Sequence, residues 1–202
     1  MRKLFRVVVY VLAAVGLGVL LAGVSVIRGG FSARPKALPL EPSIADGLRD
    51  LAMPGKAKKL ANPLPQSPDV LAEGRRHFAH DCAGCHGPDG SGTDFGRSMY
   101  PPVPDLRDGV KDMTEGEIHF VVSNGIRFSG MPAFGKPGDA GDERENWQIA
   151  RFVHHLPDVT PEELVELRRM AASAGDEPPS AAERAPAQAA PARAQAPGAK
   201  KR

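Results

Sequence analysis

Hydrophobic positions are spread unevenly along this chain. From Val7 to Ile27 they form a continuous run of 21 residues without a charge, behind a basic tip, Met1-Arg2-Lys3-Leu4-Phe5-Arg6. As a helix rising 1.5 Å per residue, the run reaches about 31 Å, enough to cross a bilayer. It is longer than the apolar core of a cleaved signal, and no A-x-A site follows it. Residues 7–27 therefore read as a retained signal anchor, with a cleaved signal peptide as the alternative. Basic residues flank the run on both sides, Arg2, Lys3 and Arg6 before it and Arg28, Arg34 and Lys36 after it, so charge alone leaves its orientation open. Residues 28–68 lose the pattern and are rich in Pro, Ala and Lys. They read as a linker, spanning roughly 35 Å as a flexible coil. Within it, Ser43 to Met53 recovers a helical period, with Ile44, Leu48 and Leu51 on one face and Ser43 as cap.

Beyond Ser67 the chain reads as short amphipathic helices joined by loops. Ser67-Pro68 is an N-cap followed by proline at the first helical position. Val70, Leu71, Gly74 and Phe78 then share a face, on which Gly74 lets a second helix cross closely. From Gly87 to Met113 glycines and prolines dominate and no period survives, which predicts a long loop. Thr114-Glu115-Gly116-Glu117 is a capping box. Ile118, Val121 and Val122 form the stripe of its helix, and Asn124-Gly125 closes it. Ile126 to Gly135 is another loop. Asp142-Glu143-Arg144-Glu145 opens a helix whose buried side is Trp147, Ile149, Ala150, Phe152, Val153 and Leu156. Ile149 and Phe152 are the expected crossing partners of Gly74 and Phe78. Thr160-Pro161 starts a last helix with Leu164, Leu167 and Met170 facing inward. No alternating strand and helix pattern appears, so the folded region, residues 69–170, is expected to be all-α. Residues 171–202, rich in Ala, Pro, Gln and Arg, cannot bury a core and are expected to be disordered.

The net charge of +2 hides a segregation. Residues 69–170 carry 18 Asp/Glu against 11 Lys/Arg, a net of −7, and the rest of the chain carries +9. The basic residues form no compact folded face, which argues against nucleic-acid binding. An acidic domain instead favours partners that dock through basic patches.

The chemistry concentrates at Cys82-Ala83-Gly84-Cys85-His86, which holds both cysteines of the chain. Two thiols three positions apart, followed at once by histidine, form a covalent haem attachment site. Each thiol makes a thioether to one vinyl group, and His86 serves as proximal iron ligand. A structural zinc site would need a second pair of ligands, which is missing. A thioredoxin-like pair would need strand and helix alternation.

This motif, continued by Gly87-Pro88-Asp89-Gly90, and the downstream Gly130-Met131-Pro132-Ala133-Phe134 resemble the class I c-type cytochromes. The resemblance covers about half the chain. It implies a cytochrome c fold of about four to five helices around one covalent haem c, beside the N-terminal transmembrane helix. It also implies a methionine as sixth ligand, and Met131 matches the family's G-M-P pattern, with Met99 as the runner-up. Cofactor-binding residues are thus Cys82, Cys85, His86 and Met131, with His86 and Met131 on the iron. A carbonyl of Pro101 or Pro102 is expected to accept the Nδ1 proton of His86. Arg97 and Tyr100 are candidates to reach a propionate. The other histidines, His77, His80, His119, His154 and His155, are expected at the surface.

With both axial positions filled, the resemblance implies an electron carrier, not an enzyme. It would be a membrane-anchored monohaem cytochrome passing single electrons between membrane-bound or periplasmic redox proteins. The alternative is a haem c subunit of a membrane oxidoreductase complex. A small peroxidase would need an open iron site, and a gas sensor would need an output domain. Because c-type haem is attached outside the cytoplasmic membrane, the haem domain is expected on the periplasmic side of the inner membrane and residues 1–6 on its cytoplasmic side.

Overall fold

The computed structural model describes residues 2–30 and 41–174. Met1, residues 31–40 of the expected linker and the tail from residue 175 lie outside the described residues. The chain divides into two units, Met1–Pro42 and Ser43–Arg202.

The first unit is dominated by one helix, α1 (Arg2–Arg28). It is long and apolar enough to cross a membrane, and none of its residues is buried by the protein. A helix that is hydrophobic all round and meets no protein partner is stable in hydrocarbon, where its backbone bonds are satisfied internally.

The second unit is helical, and no strand occurs among the described residues. It begins within α2 (Glu41–Ala52), which starts two residues before the expected cap at Ser43. The apolar face of α2 is exposed at Ile44, Leu48 and Leu51. Next come α3 (Pro68–His77), a π-helical turn (Phe78–Cys82) and α4 (Ala83–His86) in one continuous helical run. The single-turn helices α5 (Asp94–Arg97) and α6 (Leu106–Gly109) interrupt what the sequence presents as structureless loop. Both are started by side chains that periodicity does not register: Thr93 caps α5 and Asp105 caps α6. Then follow α7 (Glu115–Asn124), α8 (Ala140–His155) and α9 (Pro161–Ser173).

The core is built where α3 crosses α8. A Cβ on Gly74 would strike the carbonyl of Gln148 and stand 3.0 Å from Cβ of Phe152. The partners at the crossing are thus Gln148 and Phe152, one residue away from the expected Ile149 in the first case. Phe78 and Phe152, both fully buried, meet with ring centroids 5.3 Å apart. Burying aromatic rings of this size supplies much of the hydrophobic stabilisation of a small domain. α9 closes the side of α3 with the fully buried Leu167. Arg75 ties the two helices at the rim through Glu163 at 3.5 Å and Glu166 at 3.0 Å.

The capping boxes form as the sequence predicts, Thr114 with Glu117 and Thr160 with Glu163. Helix α8 starts earlier than expected because Asp139 accepts from the N–H groups of Gly141 and Asp142. The packed body also extends upstream of the linker boundary at residue 68. Ala57 is buried, and a Cβ on Gly116 would meet the carbonyl oxygens of Ala57 and Leu60. Asn62 Nδ2 donates to Glu115 Oε2 at 2.6 Å and to the Trp147 carbonyl at 3.1 Å. Arg151 donates to Glu115 at 2.9 Å and to the carbonyls of Pro65 and Leu64. Residues 54–66 therefore strap the α7–α8 pair. Their prolines and polar residues carry no hydrophobic period, and their partners lie 50 to 90 positions away, so local patterning reads them as linker.

Candidate functional site

The run from α3 into the Cys82–His86 motif is unbroken, so the rigid crossing at Gly74 sets the direction from which the motif leaves the core. The π-helical turn at Phe78–Cys82 widens the helix up to and including the first thiol, a distortion that recurs at functional sites. Cys82 and Cys85 are both free thiols, and at positions i and i+3 they share one face of a helical turn. Burial, with Asp81 and Cys85 adding to it, pushes the Cys82 thiol above the ordinary cysteine range.

The motif's own carbonyls are held by the segment that follows it. Gly92 N–H donates to His86 O at 2.6 Å, and Thr93 N–H to Cys85 O at 3.0 Å. The Thr93 hydroxyl donates to Gly84 O at 2.9 Å. Gly96 lies directly on the Cys85 carbonyl, where a Cβ would collide. A single-turn helix leaves its terminal carbonyls without helical partners, and these contacts supply them. Arg97 donates to the carbonyls of Ser91 and Gly92 and pairs with Asp94 at 3.0 Å. Its guanidinium braces this clamp.

His86 is half-buried, and desolvation lowers its pKa below the ordinary imidazole value. A neutral imidazole offers a lone pair for a metal. Its Nδ1 is buried with no hydrogen-bond partner. The expected acceptance by Pro101 or Pro102 is therefore not made, and both prolines sit exposed.

Met131 is half-buried and packs on the same core as Cys82, together with Leu106, Met113 and Phe134. Its loop is fastened at both ends to α7. Gly125, at φ 63°, lies against the backbone of Met131, Pro132 and Ala133. Phe134 N–H donates to Val122 O at 3.0 Å. Asn146 of α8, buried, donates to Phe134 O at 2.9 Å and to Ser123 Oγ at 3.1 Å. Ser129 Oγ accepts from Met131 N–H at 3.1 Å. Between these anchors Phe128 takes φ 62° and holds its ring 92% exposed. Met99 lies against Gly130, next to Met131.

Two of the histidines expected at the surface are buried. His119 stacks on Trp147 with centroids 3.9 Å apart and meets Glu143 at 3.1 Å. His77 lies beside Arg76 and faces Asp81 and Glu145. Desolvation lowers the pKa of both. Neighbours from other elements, absent from the helical period, cover them. His80 pairs with Asp81 at 2.9 Å, His155 with Glu163 at 3.3 Å, and His154 is exposed.

Two free thiols, a neutral imidazole with an unsatisfied buried nitrogen, and an apolar surround fit a covalently attached haem. Residues 69–153 match the family model described as Cytochrome C oxidase, cbb3-type, subunit III. This region is a c-type cytochrome domain. It carries covalently bound haem c with its iron and serves electron transport. No curated protein matches the chain. The residues missed by sequence reasoning are Thr93 and Gly96, which clamp the attachment turn, and Asn146, which fixes the methionine loop. A Thr three positions before a Gly at a single-turn helix is a weak signal, and Asn146 gives none.

Proposed function

We propose that the chain is a membrane-anchored monohaem c-type cytochrome that carries single electrons. Cys82 and Cys85 hold the macrocycle through thioethers, and His86 and Met131 are the axial ligands. The observation that carries this reading is the neutral, half-buried His86 directly after two free thiols on a clamped helical turn. The bound haem supplies a one-electron iron couple. The surrounding residues fix its orientation and exclude water, and a thioether at the sixth position raises the potential relative to a second imidazole. His77 and His119 are engaged with other side chains, which favours Met131 over a second histidine. Helix α1 anchors the domain to the inner membrane. The Arg2, Lys3 and Arg6 cluster remains cytoplasmic and the haem domain is periplasmic. Tethering keeps the domain at high local concentration near membrane-bound redox partners.

A second reading, a haem c subunit of a membrane oxidase complex, is favoured by the description of the matching family model. Mild-detergent extraction followed by native gel separation distinguishes the two. A free carrier migrates alone with its haem stain, whereas a subunit comigrates with other polypeptides. For the haem assignment, the holoprotein should keep its haem stain in a denaturing gel. Persistence of that stain in Cys82→Ala/Cys85→Ala would contradict the attachment residues.

A further inference from the structure

We propose that Met99 is a positioning residue for the loop that carries Met131. Its thioether occupies the space opened by the missing side chain of Gly130 and holds the adjacent backbone in place. The inference rests on the reading of Met131 as sixth ligand.

A Cβ on Gly130 would stand 2.5 Å from Met99 Sδ and 3.5 Å from its Cε. Gly130 is not among the glycines with positive φ. The position therefore demands glycine for space, not for backbone conformation. Met99 lies two residues past the end of α5, and its N–H donates to Gly96 O at 3.2 Å. Gly96 in turn rests on the Cys85 carbonyl. A continuous line of contacts thus runs from Cys85 through Gly96 and Met99 to Gly130 and Met131. The other supports of the loop come from α7, α8 or the loop itself. Met99 braces it from the attachment side. An unbranched, polarisable thioether suits close packing on an irregular backbone surface. Release of Met131 from a bound iron by movement of its loop would break the contact with Met99. The brace therefore slows and disfavours detachment.

The test is an imidazole titration of the ferric holoprotein, read by loss of the weak thioether-to-iron absorption band. Met99→Ala should retain covalent haem and the band but lose the band at about tenfold lower imidazole, equivalent to about 1.4 kcal/mol. Met99→Leu, which keeps the volume, should titrate close to the parent protein. Gly130→Ala should also sensitise the band, because its Cβ meets the sulfur. Met99→Ala/Gly130→Ala should be less sensitive than Gly130→Ala alone, since the new Cβ fills the vacated space. Such coupling is the signature of direct contact, whereas general destabilisation would be additive. Parent-like titration of Met99→Ala, or additive effects in the double variant, would overturn the positioning role. Met131→Ala separates the two readings. If it lacks the band while Met99→Ala behaves like the parent, the positioning role alone fails. If Met131→Ala keeps the band and Met99→Ala loses it, the axial assignment fails and the inference with it.

Discussion

The two sides of the haem site are built in different ways. The attachment side is local: the carbonyls of Gly84, Cys85 and His86 are held by Gly92, Thr93 and Gly96, all within a dozen residues. The methionine side is assembled from distant parts. Its loop depends on Val122 from α7, on Gly125 just past its end, on Asn146 from α8 and on Met99 from the far side of α5. Covalent attachment and axial coordination should therefore fail separately. Thiols near the right geometry suffice for the first, while the second needs the packed α7–α8 pair.

The largest break should come at the attachment side. Cys82→Ala/Cys85→Ala removes both thioether bonds and should abolish covalent haem, as read by haem stain in denaturing gels. Asn146→Ala should sharpen the contrast from the other side. It removes donors to Phe134 O and Ser123 Oγ from a buried site, which costs about 1–3 kcal/mol. Thermal unfolding should fall accordingly and the thioether band should weaken, while covalent haem stays complete. Thr93→Val strips the cap from α5 and a bond from Gly84 O, a loss of about 1 kcal/mol by comparison with other helix caps. Its covalent haem should stay complete and its band should weaken less than that of Asn146→Ala, because Thr93 reaches the methionine loop only indirectly, through Gly96 and Met99. The smallest effect is acid sensitivity. His77 and His119 have folded pKa values below the ordinary 6.5. Below 6.5 the unfolded chain binds protons that the folded one does not, so stability falls as pH falls through that value and is fully present above it. His119→Phe, which preserves a ring on Trp147, should flatten the lower limb of the melting temperature against pH.

Periodicity and capping residues made the long helices legible. Thr114 with Glu117, Thr160 with Glu163 and Ser67 before Pro68 all start helices where the sequence predicts them. The Gly74 crossing was readable because glycine on an otherwise apolar helical face has few other uses. Missing from the local pattern was whatever depends on distant partners. Asn62 and Arg151 turn a proline-rich stretch into a strap, and Trp147 and Glu143 enclose His119. The same limit applies to the site. Cys82, Cys85 and His86 form a contiguous word, while the neighbours of Met131 are gathered by tertiary packing from residues 99 to 146.

The central claim is that a histidine and a methionine share the iron of this domain. Near-infrared magnetic circular dichroism of the ferric, unmodified holoprotein reads the axial pair directly. The expected result is the charge-transfer signal of histidine with methionine, present in the parent and absent in Met131→Ala. A bis-histidine or histidine–water signal in the parent protein would contradict it.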